Sequence, residues 1–225
     1  MKVIPSEPVA SVRAAAEIRN AILDGSLPPG ARVRQEELAA MLGVSRAPIR
    51  QALVILEQEK LVHNSAHRRA VIAPVDPSLI GEIYDFREVI DAYAAGMAAK
   101  SDFDSKPLRE IIVQGRAAAK MGAIGELIEL DLRFHNQLYR AAANRVVMEV
   151  MRAQWSHIRR AMMITLAVQE YHARAWNEHE AILNAIVAHR RQQARNLASA
   201  HARNARMFIA GNLRQMAGRK RESSL

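Results

Sequence analysis

No cysteine occurs in these 225 residues, which removes disulfides, thiolate metal sites and a cysteine nucleophile from consideration. Aromatic residues are scarce. Four Phe, four Tyr and two Trp offer few stacking platforms, which argues against single-stranded nucleic acid as the main ligand. No apolar run approaches the ~18 residues that a transmembrane helix needs, and the N-terminus has no signal-peptide core. A cytoplasmic protein with no membrane partner is therefore expected. Half of the residues are nonetheless apolar and 24% are charged, enough to build one large domain or two small ones.

Acidic charge is what the C-terminal segment lacks. Residues 190–225 hold 9 Lys/Arg against 1 Asp/Glu, whereas residues 1–76 hold 10 against 8 and residues 77–189 hold 13 against 14. A net charge of +9 suggests a polyanionic partner, but a block at one end is also what a solvated helix terminus with a frayed tail looks like. We expect a basic disordered tail over 217–225.

Two blocks are legible along the chain. In the first, about 8–75, Val12 to Leu23 has helical apolar spacing and stops at Asp24-Gly25. Leu27-Pro28-Pro29-Gly30 is a turn. Gln35 to Leu42 reads as a short helix closed by Gly43, and Ser45 caps a second helix over 46–58 that tolerates Pro48 in its first turn. The β-branched Leu61-Val62-His63 and Ala70-Val71-Ile72 flank a polar stretch and read as a hairpin. From the N-cap and N1 pair Asp76-Pro77 onward the pattern is helical, over about 77–99, 107–121, 123–142, 145–168, 170–189 and 191–216. The expected fold is mainly α: an N-terminal winged helix-turn-helix, then an all-α bundle over 76–216.

A helix, a glycine turn and a second helix followed by a hairpin suits duplex DNA, because the second helix fits the major groove and presents its first residues to base edges. Those residues are Ser45, Arg46, Pro48 and Arg50. Arg46 and Arg50 share a helical face, and an arginine forks onto phosphate or onto guanine O6 and N7. His67, Arg68 and Arg69 at the hairpin tip can reach backbone or minor groove. Taken as isolated residues, Arg46 and Arg50 equally suit a solvated helix face. The whole string settles the matter. Ile18-Arg19-Asn20-Ala21-Ile22-Leu23-Asp24-Gly25, Leu27-Pro28-Pro29-Gly30, Glu37-Leu38-Ala39 and Leu42-Gly43-Val44-Ser45-Arg46-Ala47-Pro48-Ile49-Arg50 resemble the DNA-binding domain of the GntR family of bacterial transcription regulators. That resemblance implies operator contacts from Arg46 and Arg50, assisted by Arg34 and the wing. Three positions depart from the family: Lys60 stands where a glycine usually precedes Leu61, Arg69 replaces the wing-tip glycine, and Glu36 replaces an arginine that some relatives use on DNA.

In the second block, Asp131 and His135 are spaced i, i+4 on one helix, with His179 and His201 on two later ones. One carboxylate and three imidazoles from three helices can converge inside a bundle on a borderline divalent ion such as zinc or nickel. Spacing alone is a weak case for metal, since a polar pair on a helix is more often a satisfied core or surface pair. Asp131-Leu-Arg-Phe-His135, Asn177-Glu178-His179-Glu180 and His201, with Phe86-Arg87-Glu88-Val89-Ile90-Asp91 before them, resemble the FCD effector domain of the FadR-like GntR subfamily. The resemblance implies one divalent metal per chain on Asp131, His135, His179 and His201, with a small carboxylate metabolite completing its coordination. It also implies a homodimer that binds double-stranded operator DNA, most often as a repressor. Arg87 is the natural clamp for the carboxylate, or else a helix–helix salt bridge. Arg133 and Asn177 can also face the pocket. His63, His157, His172 and His189 read as surface or capping residues. Two alternatives remain, a helical metalloenzyme acting on an organic acid and a metal-free sensor of an acyl ligand. No separate acid/base constellation accompanies the histidines, so no enzyme is expected.

Overall fold

The computed structural model describes residues 7–65, 69–166 and 169–222. The chain forms two compact units that divide between Val75 and Asp76. The first contains α1 (Glu7–Leu23), β1 (Arg32–Arg34), α2 (Gln35–Leu42), α3 (Arg46–Gln58), β2 (Val62–Ser65) and β3 (Arg69–Ile72). One face of α3 buries Ile49, Ala52, Leu53 and Leu56 against Ile18 and Ile22 of α1 and Leu38 of α2. Each of the larger aliphatic side chains removed from water in this way contributes about 1.5–3 kcal/mol. The opposite face leaves Arg46 and Arg50 exposed. Arg19 of α1 forks onto Glu59 just beyond α3, at 2.8 and 2.6 Å, and holds the two helices in place.

Helices α2 and α3 bend by 110° at their junction, the angle of a helix-turn-helix. Gly43 ends α2 at φ 63°, and its N–H reaches Ala40 O while that of Val44 reaches Ala39 O. The three strands form one antiparallel sheet in the order β1-β3-β2, with Val33 opposite Ala70 and Val62 opposite Ile72. Strand β1 goes beyond the expected hairpin: three residues with one apolar position carry too short an alternation to register as a strand. Helix α1 also starts earlier than Val12, because Pro8 is compatible with a first helical turn.

Lys60, immediately after α3, lies at φ 56°. The helix ends there in a Schellman motif, with Lys60 N–H to Glu57 O at 2.9 Å and Leu61 N–H to Leu56 O at 2.9 Å. A glycine takes that backbone conformation freely, whereas a lysine is strained by about 1 kcal/mol.

The second unit contains α4 (Pro77–Ala98), α5 (Lys106–Met121), α6 (Ile124–Ala141), α7 (Arg145–Thr165), α8 (Gln169–Val187) and α9 (Arg191–Glu222). Asp76 caps α4 by accepting from Ser78 N–H at 2.8 Å, and Asn144 caps α7 by accepting from Val146 N–H at 3.0 Å. Alanines let α4 and α9 approach closely: Ala94, Ala95 and Ala98 on one helix and Ala194, Ala198 and Ala202 on the other are all buried. Helix α9 continues through 217–222, so the expected disordered tail is helical up to Glu222. Alanine, arginine and lysine are strong helix formers, and a basic run suits a helix C-terminus. Among the described residues no single helix is long and apolar enough to cross a membrane.

Two substitutions check these assignments. Lys60→Gly is expected to raise the stability of the first unit by roughly 0.5–1 kcal/mol, seen as a higher denaturation midpoint. An unchanged or lower midpoint contradicts the strain. Gly115→Ala on α5 would place its Cβ 2.3 Å from the Trp176 ring. It is expected to lower the melting temperature of the second unit, at a cost of about 1–3 kcal/mol for overpacking, and near-wild-type melting would show that α5 and α8 can separate freely.

Candidate nucleic-acid interface and metal centre

In the first unit, Ser45, Arg46 and Arg50 are exposed at the start of α3, and Arg34 is exposed where β1 meets α2. Ser45 makes no capping hydrogen bond, so its hydroxyl is not committed to the helix. Pro48 is buried, and its ring serves the first turn of α3 rather than the exposed face. Arg69 begins β3 opposite Arg34, while His67 and Arg68 lie outside the described residues. Glu36 carries a role that the sequence did not disclose: its Oε1 lies 3.1 Å from Arg46 Nη1 and steadies that guanidinium beside the helix start.

The second unit gathers its polar side chains on the inside. On α4 the buried stripe runs through Ile80, Tyr84, Arg87, Asp91, Ala94 and Ala98, so two charged residues occupy core positions. Arg87 is 1% exposed, and its Nη2 lies 3.2 Å from Asp91 Oδ2 and 2.7 Å from His135 Nε2. Tyr139 donates its hydroxyl to Asp91 Oδ1. Asp131 and His135 come from α6, His179 from α8 and His201 from α9. Ligand atoms of all four lie within 4.8 Å of one another. His179 Nε2 is 3.1 Å from His201 Nε2 and 3.4 Å from Asp131 Oδ1, which is 4.0 Å from His135 Nε2. Two ligands about 2.1 Å from one ion stand at most ~4.2 Å apart, so these three pairs are within reach of a single centre and the full set, within 4.8 Å, needs only a small contraction to close on one ion.

The electrostatics suit a cation. Burial drives the His135 pKa well below its ordinary value, and the Arg87 guanidinium pushes the same way. Burial, then His201, does the same to His179. Both shifts favour the neutral imidazole, the form that ligates metal. Glu178 accepts from His201 Nδ1 at 2.8 Å, fixing the tautomer that leaves Nε2 free to bind. Burial raises the Asp131 carboxyl, a shift that the charge of Arg87 partly opposes. Burial opposes the charge on Arg87 itself, but Asp91, Tyr84, Tyr139 and Asp131 together outweigh it and favour the protonated guanidinium. The Arg87 Nε and His179 Nδ1 atoms are buried with no hydrogen-bond partner among the described residues. The donors therefore fit a borderline divalent ion, and the guanidinium keeps an unspent N–H beside them. The cavity that Tyr84, Arg87, Asp131, Met162, Trp176 and His201 help to line is about 20 Å³, the size of one ion or water.

Three expectations land elsewhere. Asn177 is exposed and accepts from Arg116 Nη2 at 2.8 Å, and Arg133 is exposed on the outer side of α6. Each stands two residues from a cluster member, and two residues turn a helix by about 200°, onto the opposite face. His172 is buried and lines the cavity, with Nε2 2.8 Å from Leu166 O. Asp91, Tyr139 and Glu178 hold parts of this site that no motif in the sequence assigns to them. Asp91 had a signal, since its i, i+4 spacing from Arg87 continues a core stripe.

Residues 82–204 match the family model described as "FCD domain", and residues 10–72 match "Bacterial regulatory proteins, gntR family". The chain is similar to the "Gluconate operon transcriptional repressor" of Bacillus licheniformis, 28% identical over 77% of this chain and 71% of that one. It is also similar to the "Nta operon transcriptional regulator" of Aminobacter aminovorans, 28% identical over 60% of this chain and 65% of that one. Among solved structures, E. coli McbR/YncC superposes with a TM-score of 0.77 at 17% identity, covering 91% of this chain and 98% of that one. A GntR regulator from Rhodococcus sp. RHA1 superposes with a TM-score of 0.75 at 24% identity, covering 89% and 97%. At these identities the two structures establish the fold.

The buried ion pair makes a test of its own. Asp91→Ala leaves the Arg87 cation uncompensated in the core and is expected to cost about 3–5 kcal/mol by denaturant unfolding. The apolar replacement Arg87→Met/Asp91→Leu is expected to cost less than Asp91→Ala alone. A double variant at least as unstable as the single one would show that the pair itself, rather than the stranded charge, dominates.

Proposed function

Since this chain belongs to the gntR family of bacterial regulatory proteins and carries an FCD domain, it is a transcriptional regulator, and we propose that its operator affinity is set by a small carboxylate bound at a divalent metal in the second unit. The observation that carries this reading is the convergence of Asp131, His135, His179 and His201 within 4.8 Å inside a buried cluster. One zinc or nickel ion per chain would be held by these four residues, and it would supply a Lewis-acidic point for an effector carboxylate. Arg87 supplies the second handle, because its buried Nε–H has no partner and a guanidinium grips a carboxylate through two N–H groups. Arg87 also donates to the Nε2 lone pair of His135, the atom that a metal would use. Filling the site therefore frees the guanidinium for the effector. A cavity of about 20 Å³ holds an ion but not a metabolite, so effector binding requires the surrounding helices to part. That rearrangement gives the effector the differential affinity needed to shift a population between DNA-binding and released forms.

On the DNA side, Arg46 and Arg50 read base edges from the start of α3, with Arg34, Ser45 and the wing residues His67, Arg68 and Arg69 on phosphates. A homodimer in the cytoplasm places two such units on half-sites about one helical turn apart. Repression is the favoured sign, given the gluconate operon repressor among the relatives.

Metal content of natively purified protein is the direct test. About one divalent ion per chain, lost in Asp131→Ala/His179→Ala, is expected. No ion in either protein after incubation with zinc or nickel overturns the metal reading. In a gel shift on the duplex upstream of its own gene, binding is expected to weaken with salt and to be released by citrate or malate only when metal is bound. Release that is equal with and without metal places the effector elsewhere.

A further inference from the structure

Outside the histidine cavity, a groove of about 620 Å³ opens between α6 and α7. Arg133 and Arg140 line it from α6, two helical turns apart on one face, and Arg152 lines it from α7. Glu149 is the single carboxylate in the lining, and Trp155 contributes an aromatic surface. Neighbouring Arg159 is paired with Glu129 at 3.2 Å, but among the described residues no carboxylate lies within ion-pair distance of Arg133, Arg140 or Arg152. Three guanidinia against one carboxylate in a concave site leave an excess of positive charge and concentrate a positive potential there. Trp155 is held in place by the hydrogen bond from its Nε1 to Asn136 Oδ1 at 3.1 Å. Its inner side meets the buried cluster: the ring stacks on Tyr139 at 6.0 Å, lies 6.1 Å from the His135 ring and is 5.5 Å from Arg87 Cζ.

We propose that this groove is a second ligand site, for a small organic anion with at least two negative charges, held by Arg133, Arg140 and Arg152 and seated against Trp155. A ligand of this kind replaces repulsion between cations with charge-assisted hydrogen bonds. Only Trp155 of the groove's lining approaches His135 and Arg87, and the site does not depend on the metal reading, since none of the three arginines lines the cavity.

The probe is m-benzenedisulfonate, which carries two fixed charges and a flat ring and has little affinity for divalent metals. It is titrated into the full chain by calorimetry, with indole emission followed in parallel. Saturable one-to-one binding that weakens with salt is expected, equal in chelator-treated and zinc-loaded protein. Arg140→Gln/Arg152→Gln removes two exposed side chains and is expected to melt as the wild type does. Losing two charge-assisted bonds is expected to weaken binding at least ~10-fold. Unsaturable binding, affinity unchanged in the double variant, or binding that requires zinc would each overturn the proposal. The last result would place the probe in the cavity, and failure of the metal reading alone would leave the groove result intact.

Discussion

A guanidinium buried to 1% exposure inside a helical bundle has only the surrounding side chains to offset its charge. Removing such an ion from water costs several kcal/mol even after relaxation. The second unit meets that cost by building around Arg87: Asp91 one turn away on α4, His135 from α6, and Tyr139 bonded to the far oxygen of Asp91. These partners come from different helices and their geometry is narrow, so they fix the rotation of α4 and α6 about their own axes. An apolar core tolerates sliding more readily, because dispersion contacts have no direction.

The histidines inherit this arrangement. The charge that anchors α4 also discourages protonation of His135, and the dense packing around His179 does the same by excluding water. Phe134 stacks on His179 at 4.1 Å and Trp176 meets it edge-on at 4.8 Å, so the imidazole has little freedom to turn away. Trp176 in turn packs where Gly115 leaves room on α5. A glycine in a helix interior costs about 1 kcal/mol in helix propensity, and here it lets a large ring approach closely enough to brace the site.

Much of this was legible in the sequence, and the limits have physical causes. Long amphipathic helices announce themselves by repetition, and Asp76, Gly122 and Asn144 mark their ends with side-chain or backbone chemistry that is local. The Asp131/His135 pair was readable because i, i+4 spacing places both on one face. Convergence with His179 and His201 was readable only through the resemblance, since helix packing is not written in any one segment. Arg133 and Asn177 show the opposite effect, where nearness in sequence to a site residue turned a side chain outward. Strand β1 escaped because its pairing with β3 arises from a segment nearly forty residues away. Glu36 and Arg46 likewise meet across a turn between two helices, and their bond follows from the 110° bend rather than from any motif.

Helix α9 runs unbroken for 32 residues from Arg191 to Glu222, and His201 sits nearer its start. At 1.5 Å per residue the stretch beyond His201 is on the order of 30 Å long. A rigid rod pivoting near one end amplifies angle into distance, so a tilt of about 5° at the histidine would carry the far end through roughly 3 Å, given that rise. A small rotation of α9 about His201 would therefore be read out as a larger displacement of the helix's far end.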